Sequence, residues 1–251
     1  LPTGLQWWSF SASHAGFRNS SFYDAYWSVA PPCLGLGWWW MLGQSLEPRA
    51  WMAITIVCCW AIRLTMNWAH GWTGLQHQDW RYGNLQRQLG ALYWPVSFSG
   101  IHLMPTLLVF LGCLPLYFVV AAPSAPLNLL DGLAVGVAVA AIWIETQADL
   151  ELHRFRRQRE SARDVLTTGV WRWCRHPNYL GEIGFWLALA LFAGAAGVAS
   201  VWAYAGVLAM LVLFEFISIP MIEKKLVEAK PEYRAYCQRT FRLLPFSALR
   251  N

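Results

Sequence analysis

Six stretches of mostly apolar sequence, each close to the length that crosses a bilayer, constrain this chain more than any other feature. They run Tyr26–Leu42, Trp51–Met66, Ser97–Ala121, Leu127–Ala148, Tyr179–Val198 and Val201–Pro220. Hydrocarbon satisfies no backbone polar group, whereas a helix of about 20 apolar residues satisfies its own. The expected fold is therefore all-α, a polytopic transmembrane helical bundle with six spans in view, or seven if a helix precedes Leu1. The first stretch is short and interrupted by Pro31-Pro32, so it is expected as a kinked or tilted helix.

Charge placement orients the bundle. Arg81 and Arg87 lie in one connection, seven arginines from Arg154 to Arg175 in another, and Lys224, Lys225, Lys230, Arg234, Arg239, Arg242 and Arg250 after the last span. The alternate connections, 122–126 and 199–200, carry no charge, and 43–50 holds only Glu47 and Arg49. Excess Lys and Arg marks the cytoplasmic side, so the C-terminus is expected there. The net charge of +5 thus reflects topology, and nucleic-acid binding is not expected. Only 13% of residues are charged, against roughly 25% in ordinary soluble domains. The 17 Trp suit rings settled at membrane interfaces.

Six cysteines form no CxxC or Cys/His spacing, and His70 and His77 have no ligand-like neighbours, so neither disulfide nor metal is expected. Without repeat or linker, residues 1–251 read as a single domain, with the cofactor-binding part at about 127–251.

Chemistry concentrates between Glu145 and Glu182. Glu145 and Asp149 share one helix face at the end of the fourth span. Acidic groups at that depth are costly unless they face protein or water. Asp149 either accepts hydrogen bonds from a ligand or orients a nearby Arg, or else pairs with His153 or Arg156 within its helix. Arg154, Arg156, Arg157, Arg159 and Arg163 follow on an amphipathic extension expected over 149–165. They suit bidentate phosphate recognition, or contact with anionic lipid. Arg172, Arg175 and His176 then lead into a span that opens on Pro177 and carries Asn178, Tyr179, Gly181 and Glu182 in its first turns. Amides at such a helix start attract anions, and an ionisable Glu182 within the membrane boundary points to function.

Arg175-His176-Pro177-Asn178-Tyr179-Leu180-Gly181-Glu182 resembles the C-terminal signature of the steroid 5-alpha-reductase-like membrane reductases, most nearly the bacterial DUF1295 branch. Asp149, Arg156, Gly169-Val170-Trp171, Tyr23-Asp24-Ala25-Tyr26-Trp27, Arg63 and Gln78-Asp79-Trp80-Arg81-Tyr82 fit the same pattern, which covers residues 20–246. The resemblance implies a seven-helix membrane fold, in a bacterial inner membrane, with a cytoplasm-facing NADPH pocket in its C-terminal half. It also implies hydride transfer to a C=C bond conjugated to a carbonyl, as in a 3-oxo-5-alpha-steroid 4-dehydrogenase. Carried over, Arg63, Asp149, Arg156, Asn178 and Glu182 match cofactor-contacting positions. Glu145, Arg172, Arg175, His176, Tyr179 and Glu223 are further cofactor-side candidates. Asp79, Arg81 and Tyr82 belong to a loop able to close over the cofactor.

The chain also departs from that pattern. Trp60 stands where the steroid enzymes place a Tyr that polarises the substrate carbonyl, and an indole donates a hydrogen bond without readily giving up a proton. Glu215 and Ile219 stand near positions of an Arg and a His. Asp24, Tyr26 and Trp60 are therefore the catalytic candidates, and the substrate is expected as an apolar lipid, steroid-like or otherwise, entering from the bilayer. The alternative is an S-adenosylmethionine-dependent methyltransferase of the isoprenylcysteine or phospholipid type, which also carries an Arg-His-Pro-x-Tyr-x-Gly string and a late Glu. The arginine cluster exceeds what that zwitterionic cofactor needs.

Overall fold

The computed structural model describes residues 26–43, 45, 47–72 and 89–243. Seven helices account for most of them. They are α1 (Tyr26–Leu42), α2 (Pro48–Gly71), α3 (Tyr93–Ala121), α4 (Leu129–Gln158), α5 (Pro177–Ala195), α6 (Trp202–Ala229) and α7 (Tyr233–Arg239). A 3-10 turn, Gly169–Arg172, interrupts the connection between α4 and α5. No strand forms among the described residues, and only an isolated bridge joins Cys174 to Phe241. Helices α2 to α6 are long and apolar enough to cross a membrane, so the fold is a polytopic membrane bundle. The first expected span is present as a helix of 17 residues that runs over Pro31 and Pro32.

Prolines shape two spans without ending them. A proline removes one backbone donor and crowds the carbonyl four residues earlier. In α3 a π-helical segment, Phe98–Leu103, lies just ahead of Pro105; in α6 another, Phe214–Ser218, lies just ahead of Pro220. The wider turn accommodates the missing bond, as π-bulges do. Sequence reading stops the last span at Pro220, whereas the helix continues to Ala229 and carries Glu223 and Lys225 on an unbroken rod.

Helix α4 is the axis of the site. Asn128 caps it: the side chain accepts from Leu130 N at 2.9 Å, and Asp131 Oδ2 accepts from Asn128 N at 2.8 Å. Such caps stabilise a helix start by about 1 kcal/mol. Asp131 also receives the buried Arg49 guanidinium, with Nε–Oδ1 at 2.7 Å, which ties α2 to α4 at the end of the bundle away from the arginine cluster. At 30 residues α4 is about 45 Å long, beyond the roughly 30 Å of hydrocarbon, so its arginine-rich end projects past the membrane. It stops at Gln158, seven residues short of the expected extension to 165.

Small residues set the helix spacing, as lipid-embedded interfaces require. On α5, a Cβ at Gly181 would lie 2.8 Å from the Ala141 carbonyl oxygen of α4, and one at Gly184 would lie 3.1 Å from Ala141 Cβ. Close approach here brings Glu182 on α5 beside Glu145 on α4. On the other side of α5, Phe185 and Trp186 are fully buried, and Phe185 stacks on Trp60 of α2 with ring centroids 4.2 Å apart.

Candidate functional site

Two concavities flank α4 at its basic end. One is a cavity of about 440 Å³ between α4, the 159–176 connection, α5, α6 and α7. The other, of about 720 Å³, is a groove between α2 and α4. Leu152, Phe155 and Arg156 of α4, with Arg159 just past its end, face the cavity, whereas Thr146, Leu150, His153, Arg154 and Arg157 face the groove. Asp149 and Arg156 are seven residues apart, two turns in nearly one line, and stand on the border between the two. The arginine cluster is thus divided by helical geometry.

The cavity wall is assembled by folding the 159–176 connection back onto α4. Gly169 adopts φ +60°, a left-handed conformation that places Val170 N 2.9 Å from Glu151 Oε2. A side chain at Gly169 would run into that carboxylate. The Trp171 indole donates to Ala148 O at 3.2 Å, and Lys230 donates to Asp164 O at 2.5 Å. The floor is built around Arg175, which is 2% exposed. Its Nε lies 2.7 Å from Glu223 Oε1, its Nη1 donates to Cys237 O at 2.8 Å, and its backbone N donates to Phe241 O at 2.8 Å. His176 Nε2 meets the same Glu223 oxygen at 2.9 Å, and the Tyr236 hydroxyl donates to Trp171 O. Arg242 approaches Glu223 and pairs with Glu215 at 3.0 Å. The 233–242 segment is therefore fastened beneath the helix start of α5.

Burial is the largest single effect on Arg175 and opposes its charge, yet the Glu223 hydrogen bond and the Glu223 charge together outweigh it and hold the guanidinium above its ordinary pKa. Burial also pushes the Tyr233 and Tyr236 phenols upward, and the Cys174 thiol to about 11. For His176 burial dominates over the raising effect of Glu223, and the imidazole titrates below its usual value. The folded protein then binds that proton less readily than the unfolded chain. The stability due to neutral His176 is complete above about pH 6.5 and is lost as pH falls through the folded-state value. Thermal midpoints taken across that window are expected to drop on acidification, and His176→Gln is expected to flatten this part of the profile. A wild-type midpoint that stayed level below pH 6.5 would contradict it.

The cavity is cationic. Arg156, Arg159, Lys225 and Lys230 join Arg175 around it, and crowding shows at Lys230, whose pKa is lowered by burial and then by Arg159. Asn178 Oδ1, within the first turn of α5, is buried with no hydrogen-bond partner among the described residues. An orphaned buried acceptor costs about 1–3 kcal/mol, a cost that a donor brought to this oxygen would remove.

Between cavity and groove lies a buried polar seam. Arg63 of α2 pairs with Glu145 and, at 2.7 Å, with Asp149 of α4. Glu182 Oε1 accepts from the Trp186 indole at 3.0 Å and Oε2 from the Trp60 indole at 3.3 Å.

Of the residues singled out in the sequence, the cavity brings together Arg156, Arg175, His176, Asn178 and Tyr179. Arg175 and His176 direct their polar ends at Glu223, so they build the floor. Glu145, Glu182 and Arg63 form the seam; Asp149 pairs with Arg63, not with the His153 or Arg156 of its own helix. Arg172 is exposed and outside the cavity, because the 3-10 turn aims Trp171 inward and Arg172 outward. Trp60 is fully buried with its one N–H directed at Glu182, which removes it as a free donor to substrate. Tyr26 packs at the α1–α3 contact with Thr106, outside the cavity. Asp24, Asp79, Arg81 and Tyr82 lie outside the described residues. Sequence reading passed over the pairing of Arg242 with Glu215 and the roles of Tyr233 and Tyr236, whose only signal was their place in a short basic helix after the last span.

Comparison with known proteins adds three findings. The profile of a family described as "Protein of unknown function (DUF1295)" matches residues 7–240. An uncharacterized protein of Schizosaccharomyces pombe is 24% identical over 252 residues, which cover 91% of this chain and 73% of that one. No solved structure matches the chain.

Proposed function

We propose, starting from the fact that the chain belongs to the DUF1295 family (the steroid 5-alpha-reductase-like group), that it is a membrane-embedded, NADPH-dependent reductase. The reaction reduces a C=C bond conjugated to a carbonyl in an apolar, steroid-like or other lipid substrate. The observation that carries this reading is the cationic cavity beside the orphaned acceptor of Asn178. NADPH brings a pyrophosphate and a 2′-phosphate, together with a carboxamide that can donate, and the residues present fit such a group. The chemistry it supplies is hydride donation.

The chain's own residues do the rest. Arg156, Arg159, Lys225 and Lys230 hold phosphates, and guanidinium forks suit such oxygens. Asn178 orients a donor at the buried end. Phe155, Tyr179 and Tyr233 exclude water from the cavity walls. The groove between α2 and α4 is lined by exposed apolar residues such as Ile62, Met66 and Leu150, which supports access for an apolar substrate from the bilayer. The excess of Arg and Lys in these connections supports a topology with this end of the bundle and the C-terminus on the cytoplasmic side, and a bacterial inner membrane is part of the same proposal.

Thermal unfolding of the detergent-purified protein with NADPH, NADH and S-adenosylmethionine in parallel tests the assignment. A ligand at 100 times its Kd stabilises the folded state by about 2.7 kcal/mol. NADPH is expected to protect, and Asn178→Ala and Arg156→Ala to abolish the protection. Selective protection by S-adenosylmethionine would replace the reductase with a methyltransferase. Full NADPH protection in both variants would remove the cavity as its site.

A further inference from the structure

The seam between the two concavities has more acid than base. Arg63 on α2 faces three carboxyl groups, Glu145 and Asp149 on α4 and Glu182 on α5, in a stretch of bundle walled by Trp60, Phe185 and Trp186. Glu145 and Glu182 are 4% and 8% exposed and lie within hydrogen-bonding reach of each other. Two adjacent carboxylates cannot both stay ionised cheaply in a low-dielectric site, and one proton between them removes the repulsion.

Atom by atom, the hydrogen bonds say where that proton sits. Both oxygens of Glu182 already accept from indole N–H groups. Both bonds favour the ionised form of Glu182. Asp149 Oδ2 and Glu145 Oε1 accept from the two ends of the Arg63 guanidinium. The oxygen left over is Glu145 Oε2, buried and without a partner. A hydroxyl at that oxygen would donate to Glu182 and satisfy it, whereas a carboxylate oxygen there would remain a bare buried acceptor facing another anion.

We infer that Glu145 and Glu182 hold one proton between them at neutral pH, as a carboxylic acid on Glu145 hydrogen-bonded to a carboxylate on Glu182. Such a pair titrates as a unit. It is a proton-binding site built across the α4–α5 contact, and Gly181 permits it by letting the two helices touch beside Glu145.

The use of the proton rests on the reductase reading. Glu182 is one helical turn beyond Asn178, so the pair is an acid next to the buried end of the cofactor cavity, where Trp60 supplies none. In that reduction, hydride adds to one carbon of the double bond and a proton to the carbon beside the carbonyl. The Glu145 O–H bond breaks as the new C–H bond forms. Three carboxylates, Glu145, Asp149 and Glu182, then remain around Arg63 until water returns a proton.

Infrared spectroscopy of the purified protein tests the pair without substrate or cofactor. A protonated carboxylic C=O band that shifts down in D2O is expected at neutral pH. Glu145→Gln and Glu182→Gln should each lose it, because either change removes the like charge that retains the proton. Asp149→Asn should keep it. Circular dichroism confirms the helical fold of each variant. If Glu182→Gln fails to fold, Glu145→Gln, which keeps an acceptor for Arg63, decides alone. Absence of the band, its survival in Glu145→Gln, or its loss in Asp149→Asn would overturn the inference. A missing NADPH shift alongside an intact band would remove the reductase reading and leave the pair standing.

Discussion

Replacing Glu223 with alanine is expected to destabilise the protein by about 3–5 kcal/mol, measured as a loss of unfolding free energy in detergent at neutral pH. Glu223 is the acceptor for the Arg175 guanidinium and the His176 ring, and Arg242 stands 3.7 Å away. Deleting it leaves a guanidinium that is 2% exposed without its counter-charge, the costly way to break a buried pair. Two carbonyls, of Cys237 and Thr240, still accept from Arg175 and hold part of the segment in place. Glu223→Gln keeps the volume and one acceptor, and is expected to fall between alanine and wild type. A loss below about 1 kcal/mol for alanine would place the pair among exposed ion pairs and refute the picture of a fastened floor. The alanine variant is also expected to lose protection by NADPH, because Asn178 and Tyr179 start the helix that this floor supports.

The second large effect is expected at Gly206, where α6 crosses α3. A Cβ there would overlap the backbone of Gly112, and one at Gly112 would lie 2.6 Å from the Trp186 ring. Backbone cannot rotate away as a flexible side chain can, so Gly206→Ala must separate the two helices. Overpacking of this kind costs about 1–3 kcal/mol and occasionally more. Gly136→Ala on α4 is the control, since its Cβ meets nothing within 4 Å. It is expected to be neutral or slightly stabilising, because alanine favours a helix interior over glycine by about 1 kcal/mol. Equal stability of the two variants, measured in the same detergent, would mean that the α3–α6 contact is not close-packed.

Both effects depend on contacts between helices, the level at which sequence reading runs out. The spans were legible because hydrocarbon imposes a length and a composition on each. The departures came at their ends, where Pro220 reads as a stop but a π-helical turn carries α6 past it. The residues of the site were legible as types. Asn178, Glu182 and Arg156 stand where a buried donor-acceptor set and a phosphate holder would be sought. Their division between cavity, seam and floor was not, because it depends on which neighbour meets each face of α4. Arg175 shows the reason well: a free guanidinium in the sequence is spent on Glu223 and two carbonyls from residues more than 60 positions later. Trp60 shows the same in an apolar setting, its indole committed to Glu182 across 122 positions.

The fastening of the 233–242 segment beneath α5 has a consequence for biosynthesis. The α4 and α5 walls of the cavity belong to spans that a translocating machinery can deliver to the bilayer in turn. Tyr233, Tyr236 and the carbonyls that receive Arg175 follow every one of those spans in chain order. A nascent chain can therefore be fully inserted while its cationic pocket still lacks a wall. Assembly of the pocket waits for the ribosome to release the segment after α6, so insertion and completion of the pocket are successive events.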